Sequence, residues 1–599
     1  MKNLTLRNIA LACNGKFIGD PGLLEKEITS VITDSRKAEA GTLFVPIVGE
    51  RVDGHTFIPQ VMEAGALATL SERELPGAAY PYIRVGSSLQ ALKDLAAFYL
   101  EQLDIPVVGI TGSVGKTSTK EAIASVLSQK YRTLKTQGNF NNEIGVPLTV
   151  FRLREEDEIA VLEMGINHFG EMTRLARIAR PDTAVITNIG TAHLEFLGDR
   201  DGILRAKTEM LPYVQDNGHI ILNGDDDKLV TVKGIKGIEP VFFGLESNGK
   251  NTVWADEIRS MGLMGTHCRI HILEASAAVR NEGLEEEADL GRMDGVSLSE
   301  SEAQEEELRD LTALDGYGRN TDIGIQDGAV LTEEEEQAEE LEELAELDGA
   351  SADETAAPDS CDEIVTVQSA PRIYCEVCGT KAQEPRPGAL PMRRKEPAPG
   401  LVTVKELVTE QLQEISFEVT VPVPGRHMVY NALAATAVGR VYGLSTEQIR
   451  AGIEAIETIG GRMNRIRTDR FLIVDDCYNA NPGSMKASID VMKDAGTRRV
   501  LILGDMGELG AGEEEMHREV GAFAAASGAQ VMLFVGTLAA QMAQGAGEHV
   551  SEGQAIAHFD TTDALINGLQ EYVREGDTIL VKASRFMKLE QVVAALKEM

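Results

Sequence analysis

The sequence predicts an α/β protein of several domains, and three observations support this. At 599 residues the chain has room for about three to five domains of ordinary size. Two long stretches, one from Ile105 and one after Gly460, alternate short apolar runs with segments of helical periodicity. Such alternation is typical of a parallel sheet covered by helices on both faces. Between them lies an acidic segment whose composition differs from that of the rest of the chain.

The N-terminal and middle regions are predicted to form two domains, 1–104 and 105–459. Residues 1–104 mix short strands and helices and close with a helix at Leu89–Leu103. In the middle region we expect a helix, Lys116–Lys130, directly after the first strand. The strands predicted there are Ile105–Thr111, Ile159–Met164, Thr183–Ile189 and His219–Leu222.

The C-terminal region, 460–599, is predicted to form a second doubly wound domain of about 140 residues, a common domain size. Its apolar runs are separated by stretches long enough for helices. We predict its strands at Phe471–Val474, Arg499–Leu503, Val531–Val535, Ala555–Phe559 and Thr578–Lys582.

An acidic insertion, from about Leu273 to Gln413, interrupts the middle domain and carries most of the negative charge. The chain has a formal net charge of −38, and residues 274–363 contain 31 acidic and 4 basic side chains. Low hydrophobicity with high charge predicts disorder or a lone acidic helix instead of a core. The flanking runs Cys268–Ile272 and Ile415–Val421 are predicted to be two strands joined as a hairpin, so we expect the insertion to leave from a hairpin tip.

Six cysteines in 599 residues are too few for a disulfide scaffold. Cys375 and Cys378 form a Cys-x-x-Cys pair, which is half of a tetrahedral zinc site. The other candidate ligands, Cys361 and Cys268, supply no second pair. Reduced, unliganded cysteines are therefore the default interpretation, and a metal site is the alternative.

Composition argues against several classes of function. The acidic balance disfavours a nucleic-acid-binding surface. The sequence has no run of 18 apolar residues, so we expect no membrane span. The start, Met1 to Gly15, is broken by Asn and Arg and lacks the apolar core of a signal peptide, so we expect a cytoplasmic protein.

The strongest chemical signal is Thr111-Gly-Ser-Val-Gly-Lys-Thr-Ser118, which lies between a predicted strand and a predicted helix. Glycines let backbone N–H groups close on phosphate oxygens, and the helix N-terminus adds partial positive charge. Lys116 is expected to reach the β- and γ-phosphates, and the Thr117 hydroxyl to meet Mg²⁺. Ile110 stands where the usual pattern has glycine, so the loop is a shortened form. The residues predicted to bind nucleotide here are Gly112, Ser113, Val114, Gly115, Lys116, Thr117 and Ser118.

Three later residues lie where a parallel sheet places its active site, at or beyond the carboxyl ends of strands. Glu163 ends an apolar run and is a candidate Mg²⁺ ligand, since this ion prefers carboxylates and water to imidazole. His193 follows a predicted strand, and Lys207 lies on a predicted helix. Taken alone, the three also fit a solvated strand end, a capped loop histidine and a surface lysine.

Together with several other motifs, these residues resemble the Mur ligases of peptidoglycan synthesis. The resemblance covers nearly the whole chain except about 273–413. It rests on Thr111–Ser118, Asn139–Glu143, Leu162–Gly165, Thr187–Gly198, Ala206–Glu209, Gly425–Asn431, Gly461–Asn464, Asp475–Pro482, Gly504–Gly510 and Lys582–Lys588. Within the family, Asp475–Pro482 and Gly504–Gly510 resemble the members that add D-alanyl-D-alanine to a UDP-N-acetylmuramoyl-tripeptide.

The resemblance implies a three-domain architecture: a small N-terminal α/β substrate domain, a central P-loop ATPase domain with a parallel sheet, and a C-terminal Rossmann-like domain. It implies that ATP phosphorylates the terminal carboxylate of UDP-N-acetylmuramoyl-tripeptide, and that the amine of D-alanyl-D-alanine attacks the resulting acyl phosphate. ATP and Mg²⁺ are the implied cofactors. We expect a monomer, with an unknown partner of the acidic insertion as a further option.

The same resemblance gives roles to the catalytic residues of the middle domain. Lys116 and Thr117 would hold the ATP phosphates and a first Mg²⁺, with Glu163 as a metal ligand. His193 and a carbamylated Lys207 would hold a second Mg²⁺. Carbamylation makes physical sense because it turns a cation into an oxygen ligand of the kind that Mg²⁺ prefers.

Three further residues are implied at the nucleotide. Asn431 would contact adenine, Asp476 the ribose and Arg462 the phosphates. Arg462 also suits catalysis, because a fixed guanidinium stabilises the negative charge that develops during phosphoryl transfer.

Substrate-binding residues are less sharply indicated. Thr33–Arg36 and Gly49–His55 resemble the segments of the family that bind the UDP-sugar, which makes Ser35 and Arg36 candidates near the diphosphate. An ordinary polar turn is the alternative for each. Asn142 and Glu143 are expected to line the reaction cleft.

Four positions depart from the family pattern. Met428 stands where an asparagine is usual, so a second amide beside adenine is missing. Ala583 and Phe586 replace the small residues that are more usual in a Lys-Gly-Ser-Arg-Ser segment of the family. Cys477 replaces a serine, and we expect a buried, inert thiol there instead of a nucleophile.

Two other interpretations remain at this point. One is a sister ligase, either the enzyme that adds the third amino acid or folylpolyglutamate synthase; against the former, Asn481-Pro-Gly stands where an Asp-Asn-Pro-Arg segment would recognise a diamino acid. The other is a scaffold that keeps the fold and binds partners through the acidic insertion. The presence of Lys116, Glu163, His193 and Lys207 together argues against a scaffold, which has no physical need for all four.

Overall fold

The computed structural model describes residues 1–49, 52–190, 194–275, 412–457 and 460–599. Within these ranges the chain forms three sheets, each packed against helices. The α/β fold class is therefore confirmed, whereas the limits of the three domains stay predictions. None of the helices in the described ranges is long and apolar enough to cross a membrane.

The N-terminal sheet has five strands in the described residues, in the order β1-β5-β4-β3-β2. These are β1 (Lys16–Ile18), β2 (Val31–Ile32), β3 (Leu43–Phe44), β4 (Ala68–Ser71) and β5 (Tyr82–Arg84). The helices are α1 (Leu6–Ala12), α2 (Ile58–Glu63) and α3 (Ser88–Leu103). The side chain of Ser87 caps α3 by accepting from the N–H of Gln90. The Tyr99 hydroxyl of α3 donates to the carbonyl of Leu153 at 2.7 Å, which ties this helix to the middle region.

The central sheet has nine strands in the part of the chain that the structure describes, in the order β14-β13-β12-β11-β10-β9-β6-β8-β7. They are β6 (Val107–Thr111), β7 (Thr133–Lys135), β8 (Ile159–Glu163), β9 (Thr183–Ile186), β10 (His219–Asn223), β11 (Pro240–Gly244), β12 (Asn251–Ser260), β13 (Thr266–Ala275) and β14 (Leu412–Val421). Its helices are α4 (Lys116–Leu127), α5 (Gly145–Val150), α6 (Glu171–Ala179), α7 (Leu194–Leu197), α8 (Arg200–Thr208), α9 (His427–Val441) and α10 (Thr446–Glu454).

The central sheet is parallel except at one edge, where the sequence predicted the β13–β14 hairpin but not the antiparallel pairing of β12 with β13. Strands β12, β13 and β14 pair antiparallel to one another, while the remaining neighbours are parallel. The turn between β12 and β13 is too short for the crossover that a parallel pair requires, so the two strands must run in opposite directions.

The predicted hairpin at the base of the acidic insertion is confirmed. Strands β13 and β14 pair without interruption from Thr266 opposite Val421 to Ala275 opposite Leu412. The two strands continue a few residues into the predicted insertion, about 273–413, whose bounds stay a prediction. The expected disorder and the Cys361, Cys375 and Cys378 thiols lie outside the described residues, whereas Cys268 is a free, buried thiol within β13.

The C-terminal sheet has six strands among the described residues, in the order β15-β16-β20-β17-β18-β19. They are β15 (Asn464–Arg467), β16 (Leu472–Asp475), β17 (Arg499–Gly504), β18 (Val531–Val535), β19 (Ala555–Phe559) and β20 (Thr578–Lys582). The helices are α11 (Pro482–Met492), α12 (Glu513–Ala526), α13 (Ala539–His549), α14 (Thr562–Tyr572) and α15 (Glu590–Glu598). The five predicted strands agree with β16–β20 to within a residue, and the antiparallel edge strand β15 was not predicted.

Close helix packing brings the middle region together around α4. Helices α9 and α10 both pack against α4. Gly452 of α10 makes this approach possible, because a Cβ at that position would collide with the backbone of Val126. Because of this packing, Asn431 of α9 contacts Thr119 of α4. Asn431 therefore lies close to the loop that precedes α4, although the two are far apart in the sequence.

Candidate nucleotide and ligation site

The loop between β6 and α4 is held tightly against the end of β9. Gly112 has φ +152°, and a Cβ there would collide with the Thr187 side chain. The N–H of Ser113 donates to the carbonyl of Asn188 at 3.1 Å, and the N–H of Val114 donates to Asn188 Oδ1 at 2.9 Å. Thr187 Oγ1 donates to the carbonyl of Val114 at 2.7 Å. Asn188, which had no predicted role, therefore fixes the shape of the loop.

The first turn of α4 is left open to an anion. Gly115 precedes the helix with φ +82°, and no side chain of the residues that the structure describes caps the N–H groups of the first turn. Lys116 Nζ donates to the carbonyl of Gly112 at 3.0 Å. Burial lowers the pKa of Lys116, and the nearby Glu163 carboxylate opposes that effect. The predicted strand–loop–helix arrangement is thus the observed one.

Glu163 ends β8, as expected, and is 1% exposed. Its Oε1 accepts hydrogen bonds from Thr117 Oγ1 and from Asn141 Nδ2, both at 3.0 Å. Within the described residues its Oε2 has no hydrogen-bond partner, and Lys120 Nζ lies 3.7 Å away. A buried carboxylate oxygen without a donor is costly unless a ligand completes it.

Lys207 lies on α8, as predicted, with 1% of its surface exposed. No hydrogen-bond partner for its Nζ exists in the described parts of the chain. Burial holds the pKa of Lys207 well below its ordinary value, and the Lys116 ammonium lowers it further. Burial therefore favours the neutral form of the Lys207 amine, whereas His193 lies outside the described residues.

A cleft of about 460 Å³ opens between the middle and C-terminal regions. One wall is the β6–α4 loop with the first turn of α4, and the other comes from the C-terminal sheet. The predicted nucleotide residues that line it are Ser113, Val114, Gly115, Lys116, Thr117, Ser118, Asn431, Arg462 and Asp476. The structure therefore brings together residues from both regions that are more than 300 positions apart in the sequence.

Asn431 lines the cleft beside α4. Its Oδ1 accepts from Thr119 Oγ1 at 2.8 Å, and its Nδ2 lies 3.2 Å from the sulfur of Met428. The neighbouring Tyr430 hydroxyl donates to Asp225 Oδ2 at 2.9 Å. The methionine that departs from the family pattern thus packs against the amide that we expect at the adenine.

Asp476 is already engaged by three donors. Its Oδ1 accepts from the N–H of Met463 at 3.0 Å. Its Oδ2 accepts from Ser488 Oγ at 2.6 Å and from Lys582 Nζ at 2.7 Å. The contact with ribose stays a prediction and would have to use the remaining lone pairs. Lys582 was not predicted, although its position at the carboxyl end of β20 was the signal that could have indicated it.

Arg462 is held by an aromatic ring. Its guanidinium carbon lies 4.2 Å from the centre of the Tyr478 ring, within the range of a cation–π contact. Burial raises the pKa of Tyr478. The adjacent Cys477 is 3% exposed and its Sγ donates to Asp475 Oδ1 at 2.9 Å, so the expected buried thiol is confirmed. Burial also raises the pKa of this thiol, which disfavours a nucleophilic thiolate.

Ser35 and Arg36 are not among the residues that line this cleft. They lie on a short helical turn, Ser35–Lys37, in the N-terminal region. Arg36 is largely exposed and its Nε donates to Asp34 Oδ1 at 3.1 Å. Their contact with a diphosphate stays a prediction.

Asn142 and Glu143 both make structural contacts. Asn142 Oδ1 accepts from the N–H of Gly145 at 2.8 Å at the start of α5. Glu143 is 5% exposed and forms ion pairs with Lys93 and with Arg174. The carboxylate therefore links α3 to α6, and any role in substrate binding stays a prediction.

Three family descriptions match the chain in the expected order. Residues 27–100 match the Mur ligase family catalytic domain, residues 110–277 the Mur ligase middle domain, and residues 461–585 the Mur ligase glutamate ligase domain. Together they cover more than half of the chain.

Two relatives match the chain over nearly their whole length and carry the same enzyme name. The chain is 32% identical to the UDP-N-acetylmuramoyl-tripeptide–D-alanyl-D-alanine ligase of Bacillus subtilis strain 168, over 99% of this chain and 98% of the relative. It is 30% identical to the ligase of the same name from Escherichia coli strain K12, over 100% and 99% of the two chains. A crystal structure of MurF from Acinetobacter baumannii matches with a TM-score of 0.70 and 26% identity, over 99% of both chains. The chain belongs to the Mur ligase family.

Proposed function

We propose that this chain is the ATP-dependent ligase that joins D-alanyl-D-alanine to UDP-N-acetylmuramoyl-tripeptide. The relatives that it matches over nearly their whole length carry that activity in their names. A crystal structure of MurF from Thermotoga maritima in complex with ADP shares the fold, with a TM-score of 0.64 and 22% identity over 95% of this chain and 97% of that one. The observation that carries the proposal is the open N-terminus of α4 beside the cleft, next to Glu163, whose buried Oε2 has no hydrogen-bond partner among the described residues.

In this proposal the ATP phosphates lie on the first turn of α4. Its free N–H groups and the partial positive charge of the helix suit an anion, and Lys116 moves from the Gly112 carbonyl onto the β- and γ-phosphates. Arg462 faces them from the C-terminal region. Asn431 and Asp476 would then meet the adenine and the ribose.

The residues present also fit Mg²⁺. This ion commonly takes one or two carboxylates together with phosphate oxygens and water, so the protein need not supply a complete cage. Glu163 offers an oxygen that has no hydrogen-bond partner in the described part of the chain, and Thr117 offers a hydroxyl beside the same carboxylate. A carbamylated Lys207, with His193, would supply the ligands of a second ion. When bound, Mg²⁺ would neutralise charge on the phosphates.

The reaction requires a carboxylate to become reactive towards an amine. We propose that the tripeptide carboxylate takes the γ-phosphoryl group of ATP and that the D-alanyl-D-alanine nitrogen then displaces phosphate from the acyl phosphate. Lys116 and Arg462 stabilise the negative charge on the transferring group from two sides of the cleft. The neutral amine of Lys207, which its lowered pKa favours, would add to CO₂ to form the carbamate and release one proton to solvent.

The direct test is phosphate release that depends on both substrates. The purified chain with ATP and Mg²⁺ should release phosphate steadily only when UDP-N-acetylmuramoyl-tripeptide and D-alanyl-D-alanine are both present. Tripeptides that end in lysine and in diaminopimelate should be compared in parallel. Steady release with UDP-N-acetylmuramoyl-dipeptide plus a diamino acid, or with a folate plus glutamate, would instead support a sister ligase.

A further inference from the structure

Lys120 is a buried cation on α4 to which the reaction described above gives no role. It stands three residues after Thr117, so the two side chains share the face of the helix that meets Glu163 at the end of β8. The Lys120 side chain is 1% exposed, and a lysine is seldom so completely buried unless it is paired. Its Nζ lies 3.2 Å from Glu121 Oε1 and 3.7 Å from Glu163 Oε2. The Lys120 ammonium is therefore shared between two carboxylates.

The Glu163 carboxylate does not need Lys120 to hold its orientation. Its Oε1 already accepts hydrogen bonds from Thr117 and from Asn141. Its Oε2 has no hydrogen-bond donor among the described residues, because the 3.7 Å that separates it from Lys120 Nζ is too long for a hydrogen bond. Lys120 therefore acts on this oxygen through its charge and leaves the oxygen open to a metal ion.

Glu121 is the closer of the two carboxylates to Lys120 and holds the ammonium beyond hydrogen-bond distance from Glu163. The same carboxylate also pairs with Lys135 of β7. Glu121 and Glu163 thus compete for one buried cation. Loss of the charge on Glu121 would let the Lys120 ammonium approach Glu163.

A cation in this place opposes a metal ion at Glu163. Mg²⁺ lies about 2 Å from a carboxylate oxygen, so an ion on Oε2 would be within about 6 Å of the Lys120 ammonium. Like charges that close repel each other in a buried site, where salt screens them little. The phosphates of ATP add negative charge and so offset this repulsion. The ion is therefore expected to bind weakly by itself and more tightly beside nucleotide.

We propose that Lys120, restrained by Glu121, lowers the affinity of Glu163 for Mg²⁺, so that the ion binds weakly until nucleotide adds its negative charge. This rests on the proposed function, in which Glu163 is a metal ligand. Lys120 acts only through Glu163, so it is a positioning residue and not a catalytic one. Without the ion, the same ammonium compensates a buried carboxylate that would otherwise destabilise the fold.

The test measures binding of Mn²⁺, as a probe in place of Mg²⁺, to the full-length chain by electron paramagnetic resonance. Many other carboxylates of this acidic chain can take up Mn²⁺, so the binding that remains in Glu163→Gln is subtracted. Without nucleotide, Lys120→Met should bind Mn²⁺ at Glu163 about tenfold or more tightly than the parent, because a repelling charge is gone. Glu121→Gln should bind it about threefold or more weakly, because Lys120 then moves towards Glu163.

Two further variants separate the charge of Lys120 from its packing and from the total charge of the chain. Lys120→Gln removes the charge but keeps N–H donors, so it should show the same gain even where Lys120→Met folds poorly. Lys130→Met removes an equal charge just beyond the other end of α4, where the ammonium donates to the carbonyls of Tyr442 and Gly443, and it should bind Mn²⁺ as the parent does. Binding in Lys120→Met and Lys120→Gln that is no tighter than in the parent would overturn the proposal, as would unchanged or tighter binding in Glu121→Gln.

Failure of this inference differs from failure of the proposed function, because Mn²⁺ binding requires neither the tripeptide nor the dipeptide. If the parent ligates but the Lys120 and Glu121 variants bind Mn²⁺ as the parent does, the inference is wrong and the proposed function stands. If the parent binds Mn²⁺ at Glu163 equally tightly with and without ADP, the link to nucleotide is wrong. If the variants shift the affinity in opposite directions while the parent releases no phosphate that depends on both substrates, the proposed ligase activity is wrong and the metal site at Glu163 stands.

Discussion

Lys207 is the residue where we expect stability and function to oppose each other. It is 1% exposed, and its Nζ has no hydrogen-bond partner in the described parts of the chain. Leaving a buried polar group unpaired costs about 1–3 kcal/mol. Lys207→Met keeps most of the aliphatic chain and removes the amine, so it should raise the free energy of unfolding of the nucleotide-free protein by about that amount. For a domain of about 150–250 residues each kcal/mol corresponds to about 2–4 °C, so the melting temperature should rise by several degrees.

The gain in the free energy of unfolding of Lys207→Met should depend on pH. Burial, helped by Lys116, holds the pKa of Lys207 well below its ordinary value of 10.5. Between the lowered value and 10.5 the unfolded chain binds a proton that the folded chain does not, so the stability of the parent rises with pH. Lys207→Met lacks this dependence. The advantage of the variant should therefore be largest at low pH and shrink as the pH rises towards 10.5.

The same variant should be inactive, because the proposed carbamate cannot form. Lys207→Arg should be inactive as well, since a guanidinium keeps the charge but cannot act as a metal ligand. The assay is ¹³C NMR of the protein in labelled bicarbonate, in which the parent should show a carbamate signal that Lys207→Met lacks. Lys93 is the matched control: it is also buried, but it is paired with Glu143, so Lys93→Met should keep the signal.

Two outcomes would refute this reasoning. If Lys207→Met melts at a lower temperature than the parent at pH 7 in bicarbonate-free buffer, the buried amine does not destabilise the fold. If Lys207→Met ligates at a rate near that of the parent, the carbamate is not needed for the reaction.

Three further predictions concern the cleft and the insertion. Lys116→Ala should abolish acceptor-dependent phosphate release and leave the circular dichroism spectrum unchanged, and near-normal turnover at saturating ATP would contradict the P-loop assignment. Nucleotide with substrate should favour a more closed form, because ligands held between the two regions bind it better than the open form, and X-ray scattering should then report a smaller radius of gyration. Unchanged scattering would count against closure. Replacing residues 276–411 by a short Gly-Ser turn should leave ligation within about a few-fold of the parent, because loop-closure cost grows only slowly with length; loss of activity with the fold retained would show that the insertion takes part in the reaction.

The sequence could predict those parts of the site that are formed by residues adjacent to one another in the chain. The P-loop is a contiguous segment whose strand, turn and helix can each be read from neighbouring residues, and it lies where expected. The contact of Asp476 with Lys582 joins positions 106 residues apart, so only the three-dimensional fold reveals it. Helical periodicity placed Lys207 on a helix, but the missing partner of its amine depends on everything packed around it. The antiparallel pairing of β12 with β13 was missed for a similar reason, since strand direction follows from connection length and not from the apolar pattern.

The hairpin geometry explains why a highly acidic insertion is compatible with a site that must attract ATP. The end of the hairpin at Thr266 and Val421 lies near the cleft, because Val423 is one of its lining residues. The insertion is attached at the opposite end, at Ala275 and Leu412. The nine residue-to-residue steps of each strand span about 30 Å at about 3.4 Å per residue. The Debye length at physiological salt is about 8 Å, so the attachment points lie several screening lengths from the phosphates. Removing residues 276–411 should therefore change neither the KM for ATP nor its dependence on salt, even though it removes most of the net charge of the chain. A KM that falls on removal and loses part of its salt dependence would mean that the acidic residues reach the cleft.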